Sequence, residues 1–176
     1  MASAADLQAT GAERRLFWTA AAVTVVLDLI TKLIAEATLL RTPGMSVLGD
    51  WFQLRLVYNQ GAAFGLHVGP YSRWIFFTVA LVAVFVLARM SRGGPAGDRF
   101  RQIALGLVAG GAAGNLIDRI RSDRGVVDFL DVGIGALRWP TFNVADIAVS
   151  CGAIALAISL WREDAHRPEP ESASAA

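Results

Sequence analysis

Four long apolar runs divide the chain, at residues 16–35 (LFWTAAAVTVVLDLITKLIA) and at about 71–90, 103–120 and 144–161. At 1.5 Å per residue a twenty-residue helix reaches ~30 Å, the thickness of a bilayer's hydrocarbon core, so each run predicts a membrane-spanning helix. Between the first two runs the period changes. In WFQLRLVYNQGAAFGL, Phe52, Leu54, Leu56 and Tyr58 alternate with Gln53, Arg55 and Val57, which predicts a half-buried strand. Gly61 and Gly65 mark a turn or a close backbone approach. An open strand edge cannot sit in hydrocarbon, so this segment is expected at the interface or against the helices, as a small β platform over about residues 40–67. The expected fold class is an all-α membrane protein with a small β element: four transmembrane helices plus an extracytoplasmic platform between spans one and two.

Composition agrees with this pattern. Over 176 residues, 55% are hydrophobic and the mean hydropathy is +0.48, too apolar for an ordinary soluble domain. The N-terminal residues 1–13 and the tail 164–176 lack apolar periodicity and are expected to be flexible cytoplasmic segments flanking one membrane domain at 14–163. Four spans place both termini on one side. The short loop ARMSRGGPAGDRFR carries Arg89, Arg92, Arg99 and Arg101 against the single acid Asp98, which marks it as cytoplasmic. Over the whole chain the bias is slight, eight basic residues inside against seven outside, so the short loop decides the orientation. A cleaved signal peptide ending near Ala35-Glu36-Ala37 is a rival reading of span one, opposed by Asp28 and Lys32 within its apolar core.

The net charge of +1 offers no field for nucleic acid. His67 and His166 are too far apart in sequence to suggest a metal site, and no metal or cofactor is expected. A single cysteine, Cys151, rules out an intramolecular disulfide and a CxxC pair, and its apolar setting predicts a small buried packing residue.

Ionisable groups within spans are costly unless paired or hydrated, which draws attention to a few residues. Asp28 and Lys32, four apart, share a helix face and are expected to pair, either to fix packing or to act near a substrate. Gly106, Gly110 and Gly114 form a stripe that lets another helix approach closely. Asn115, Asp118 and Arg119 follow at the end of span three, read either as a solvated helix end with an Asp–Arg contact or as part of a site. Asn143 is placed as an N-cap and Asp146 falls in the first turn of span four, where unpaired amides stabilise a carboxylate. Asp128 stands between Val126-Val127 and Phe129-Leu130, an apolar setting at a membrane edge, whereas Asp131 reads as accessory or solvated. If the turn at Pro140 brings Asp128 beside Asp146, the two acids would share a proton, activate a water and protonate a leaving amine. No HExxH or Gly-x-Ser-x-Gly motif offers another hydrolytic route. A proton-conducting transporter using Asp28, Lys32, Asp118 and Asp146 is the alternative from another class, and a non-catalytic scaffold a third.

The motifs NQGAAFG (59–65), GGAAGNLIDR (110–119), VVDF (126–129) and FNVAD (142–146), in this order, resemble the lipoprotein signal peptidase family, also called signal peptidase II. The resemblance runs from Asp28 to about Ala155. It implies a bacterial inner-membrane aspartic endopeptidase, acting as a monomer among membrane lipids, that cleaves prolipoproteins just before a diacylglyceryl-modified cysteine. It also implies a catalytic pair at Asp128 and Asp146, with Asn59, Gly61, Gly111, Asn115, Arg119, Asn143, Ala145, Asp28 and Lys32 binding substrate or supporting the pair. The active site would lie on the outer-leaflet side.

Overall fold

The computed structural model describes residues 10–61, 69–93 and 97–165. His67, His166 and the part of the NQGAAFG motif beyond Gly61 lie outside the described residues, as do the two terminal segments apart from their inner ends. Helices α1 (Gly11–Leu39), α2 (Ser72–Met90), α3 (Arg99–Arg121) and α4 (Val144–Ala165) are each long and apolar enough to cross a membrane. Two of them run past the expected domain limits. α1 already begins at Gly11 because Thr10 and Glu13 form a reciprocal cap, the Thr10 side chain accepting from the Glu13 N–H at 3.3 Å and Glu13 Oε2 from the Thr10 N–H at 2.7 Å. α4 continues through Asp164 and Ala165, which the sequence pattern places in the tail.

α3 is the central helix, with half of its apolar window buried inside the protein against 22% for α1 and α4 and 11% for α2. The glycine stripe makes that position possible. A Cβ on Gly106 would lie 2.5 Å from the Phe17 carbonyl oxygen, and one on Gly110 would lie 2.7 Å from that of Ala21, so α1 rests directly on the backbone of α3. On its other side α3 meets α4, with Gly152 of α4 packed on the Ala104 carbonyl and Val108. The faces turned away from α3 keep large apolar side chains exposed, such as Leu33, Val82, Phe85 and Ile154, as bilayer-facing helices do.

The β platform is larger than the sequence pattern indicates. Strands β1 (Met45–Leu48) and β2 (Phe52–Asn59) are joined by β3 (Val126–Ile134) and β4 (Leu137–Arg138) in one antiparallel sheet of order β1-β2-β3-β4. Half of the sheet therefore comes from the connection between α3 and α4. The physical reason is pairing: β2 would otherwise leave one edge unbonded, and β3 runs along its whole length, from Phe52 opposite Val132 to Asn59 opposite Val126. One extra residue on β2 between Leu54 and Val57 shifts the register, which sets Val57 opposite Asp128 and carries Asn59 to the same end of the sheet. Phe129, Leu54 and Leu56 then pack on Ala35 and Leu39 at the end of α1.

The sheet thus lies at the end of the bundle where α1 and α3 finish and α4 starts. At the opposite end the turn before α3 is tied to two helices. Glu13 of α1 accepts the Gly97 N–H, and Asp98 caps α3 through the Arg101 N–H at 2.8 Å while accepting from Ser159 Oγ of α4 at 2.8 Å.

Candidate active site

Asp128 is fixed by β3, the strand whose first residues enter the sheet directly after α3. Its side chain is 2% exposed, and each oxygen accepts an amide N–H: Oδ1 from Asn143 Nδ2 at 2.7 Å and Oδ2 from Asn59 Nδ2 at 3.0 Å. Asp146 is fixed by the start of α4. Asn143 is the cap, its Oδ1 accepting from the Asp146 N–H at 2.9 Å, and Asp146 Oδ2 in return accepts from the Asn143 N–H at 3.2 Å. The second Asp146 oxygen accepts from Asn115 Nδ2 at 2.9 Å. A single fully buried residue, Asn143, therefore bonds both carboxylates, and with them its amide also reaches Asn115 Oδ1 at 3.1 Å.

Behind the two acids sits a buried charge cluster. Lys32 Nζ lies 2.7 Å from Asp28 Oδ2, 2.8 Å from Asp118 Oδ2 and 2.9 Å from Asn115 Oδ1, and Lys32, Asp28 and Asp118 are all fully buried. Each of its three partners reaches the acid-bearing segments. Asp28 Oδ1 accepts the Ala145 N–H at 2.9 Å, one residue before Asp146; Asp118 Oδ2 accepts the Val127 N–H at 3.1 Å, one residue before Asp128; Asn115 donates to Asp146 itself. Because Asn115 Oδ1 is held by the ammonium, its Nδ2 is the atom left to face Asp146, so Lys32 sets the orientation of that amide. One cation on α1 thereby holds β3 and α4 in register.

Arg119 is turned elsewhere. Its guanidinium donates to the Gly61 carbonyl at 2.9 Å and the Asn115 carbonyl at 3.0 Å, and stands over the Phe76 ring. The Asp–Arg contact considered for the end of span three is replaced by two separate roles, Asp118 to Lys32 and Arg121 and Arg119 to Gly61. Gly61 is itself anchored, donating to Asn59 Oδ1 at 2.9 Å.

Asn59, Asn115, Arg119, Asp128 and Asp146 converge on one pocket of about 330 Å³. Trp139, Pro140, Phe142 and Ile147 form its apolar wall, and Ser150 and Cys151 extend it along the exposed flank of α4. Cys151 is thus exposed, not a buried packing residue. Of the other residues picked out in the sequence, Gly111 and Ala145 lie beside the pocket as a packing pair: a side chain on Gly111 would meet the Ala145 carbonyl and Val149. Asp28 and Lys32 lie behind it. Asp131 is buried at 2% exposure and paired with Arg138 at 2.7 Å, which corrects its reading as solvated. The aromatic wall and the role of Asp118 carried no signal in the sequence beyond adjacency to the motifs.

Burial, followed by the charge of neighbouring Asp146, pushes the Asp128 carboxyl up to about 7, against the pull of the Asn59 and Asn143 amides. Near neutrality Asp128 holds a proton much of the time, under the charge of a second carboxylate in a pocket walled by apolar groups. That is an arrangement for acid–base chemistry. Among the described residues no group of three or more His, Cys, Asp or Glu side chains is placed to hold a metal ion.

The family model described as signal peptidase (SPase) II matches residues 20–162. The chain belongs to the signal peptidase II family. The lipoprotein signal peptidase of Oleidesulfovibrio alaskensis is 39% identical over 145 residues, covering 81% of this chain and 92% of its own. That of Hydrogenovibrio crunogenus is 39% identical over 155 residues, with 86% and 89% covered. A solved bacterial membrane enzyme at 2.3 Å resolution superposes with a TM-score of 0.75 at 28% identity, covering 94% of this chain and 98% of the other. As a signal peptidase II member with four membrane-capable helices, the chain is a bacterial membrane peptidase.

Proposed function

We propose that this peptidase cleaves prolipoproteins just before the diacylglyceryl-modified cysteine by an aspartic mechanism, with Asp128 and Asp146 as the catalytic pair. The observation that carries the reading is the pocket in which both carboxylates are bonded by one residue, Asn143, and whose apolar wall runs out along α4. A scissile peptide beside a lipid-modified cysteine enters such a pocket from the side, its acyl chains remaining in hydrocarbon.

The charged Asp146, held by the Asn115 side-chain amide and the Asn143 backbone N–H, takes a proton from water as the water oxygen attacks the scissile carbonyl carbon. Protonated Asp128 donates a hydrogen bond to the carbonyl oxygen, which becomes the oxyanion of the tetrahedral intermediate. Collapse of that intermediate breaks the C–N bond, and the proton taken up from water passes to the leaving amine. Arg119 holds the Gly61 backbone, and through it Asn59, in place over Asp128. Gly111 and Ala145 let α3 and α4 approach closely enough to set the pocket's width.

We assign the sheet and pocket to the outer-leaflet side and both termini to the cytoplasm, with a single copy of the chain active. The arginine-rich turn lies at the bundle end opposite the sheet, which supports this orientation. The test is to replace Asp128 and Asp146 separately by Asn and follow release of signal peptide from a diacylglyceryl-modified prolipoprotein in liposomes. Each variant should lose about a hundredfold or more in rate. Near-normal cleavage by either folded variant removes that residue from the catalytic pair.

A further inference from the structure

The far end of the sheet carries a cluster of large apolar side chains that the helix bundle does not cover. Leu48, Trp51, Ile134, Leu137 and Trp139 are 58%, 59%, 74%, 83% and 57% exposed, although none belongs to a membrane-spanning helix. They are brought together by the two hairpin turns. The Gly133 N–H donates to the Trp51 carbonyl at 3.0 Å, and Arg138 bonds both Asp131 and Asp50, so the β1–β2 and β3–β4 turns form one braced tip. The tip stands about eight strand residues, ~25 Å, from Asn59 at the pocket.

The strand register separates the two faces of this sheet. Cross-strand partners share a face, so Leu48 and Phe52, Leu54 and Leu130, Phe52 and Val132, and Ile134 and Leu137 all lie on the side that carries Asp128. Gln53, Asp131 and Arg138 lie on the other. One face is thus apolar from the pocket to the tip; the other carries the Asp131–Arg138 ion pair near the tip and buried Val127 and Phe129 nearer the helices. Trp139 connects the two regions, since it also lines the pocket, whose wall continues onto the bilayer-facing flank of α4. The apolar face is therefore continuous with the surface that the spans present to lipid, and two tryptophans at its rim are of the residue type that collects at membrane interfaces.

We infer that the apolar face of the β tip is a lipid-anchoring surface: Leu48, Ile134, Leu137 and Trp139, with Trp51 in the turn beside them, insert into the leaflet on the sheet side and hold the sheet down on the bilayer. The occupant is phospholipid, because the surface continues the lipid belt and is braced in its exposed form by the Arg138 clamp. The inference rests on membrane insertion of the spans and not on the catalytic assignment.

The test places a nitroxide label on Ile134→Cys or Leu137→Cys, in a Cys151→Ser background so that each molecule carries one label. The full chain is reconstituted in phosphatidylethanolamine–phosphatidylglycerol liposomes, with a label on Arg55→Cys as a control outside the apolar tip. Collision of the label with dissolved oxygen and with a water-soluble nickel chelate reports its depth. The labels at 134 and 137 should favour oxygen over the chelate, as acyl-chain sites do, and the label at 55 should favour the chelate. Equal access of the chelate to all three sites overturns the inference. So does spin–spin broadening at 137 that disappears on dilution with unlabelled protein, which assigns the face to a second copy. A label at 137 that leaves water only when prolipoprotein is added assigns it to substrate and likewise overturns it.

Discussion

Replacing Lys32 by Met removes one charge while keeping most of the side chain's volume, and its effect follows from the contacts of the ammonium. Lys32 is fully buried, and so are the two carboxylates it pairs with, at 2.7 and 2.8 Å. Removing one partner from a buried ion pair costs about 3–5 kcal/mol, because the charge left behind has lost both water and counter-charge. Part of the loss is offset here. Asp28 keeps the Ala145 N–H, and Asp118 keeps the Val127 N–H and Arg121. The expected destabilisation is therefore ~3 kcal/mol, the lower end of that range, which corresponds to roughly 6–12 °C in Tm for a chain of this size. Thermal unfolding in detergent, followed by tryptophan fluorescence, measures it. The double variant Lys32→Met with Asp28→Asn should recover part of the loss, since it removes one of the orphaned charges while an Asn oxygen still accepts from Ala145. Processing should fall further than the unfolded fraction accounts for, because Asn115 Oδ1 then keeps only the Asn143 Nδ2 donor and its amide is held less firmly against Asp146. A Lys32→Met variant that melts within about 1 °C of the native chain and cleaves at its full rate would refute the reading of Lys32 as the hub of the site.

Other outcomes follow from the same structure. Asn143→Asp puts an oxygen where Nδ2 meets Asp128 Oδ1 at 2.7 Å and Asn115 Oδ1 at 3.1 Å, and should cut the cleavage rate about a hundredfold with the chain still folded, as checked by circular dichroism and a processing assay. Gly110→Val drives a side chain into the Ala21 carbonyl and Thr24, and should lower stability by ~3 kcal/mol in thermal unfolding, whereas Gly11→Val, with open space around it, should not lower it by that route. The folded chain holds the Asp128 proton up to about 7, against an ordinary 3.8. Between those values the folded state binds more protons than the unfolded one. The contribution is full below 3.8 and is lost as pH rises through about 7, a change of ~4 kcal/mol that Asp128→Asn should abolish when Tm is followed over that range.

The four spans were legible because a run of eighteen or more apolar residues is long enough to cross a bilayer and longer than a buried core strand or short core helix needs. Strand β2 was legible from its alternation, and the Gly106–Gly110–Gly114 stripe predicted the close packing that α1 makes on it. Strand β3 was not, because VVDFLDVGI is buried along most of one stretch and shows no alternation to read. Asp118 and Arg119 could not be separated by sequence: consecutive helical residues point ~100° apart, and only the neighbours present in space show that one meets Lys32 and the other Gly61. The exposure of Cys151 was hidden for a related reason. In a membrane span, lipid-facing and buried positions are both apolar, so hydropathy does not tell them apart. The convergence of Asp128 and Asp146, separated by a turn and a short hairpin, depends on Asn143 capping α4, which the sequence shows, and on β3 pairing with β2, which has no sequence period.

That the two acids act as one coupled pair, with the proton on Asp128, is tested most directly by infrared difference spectroscopy of the protein in lipid across neutral pH. The C=O stretch of a protonated carboxyl group is the signal. The expected band titrates near 7, is missing in Asp128→Asn, and titrates at lower pH in Asp146→Asn, where the neighbouring charge has been removed. A band that persists in Asp128→Asn, or one whose midpoint is unmoved by Asp146→Asn, contradicts the pairing.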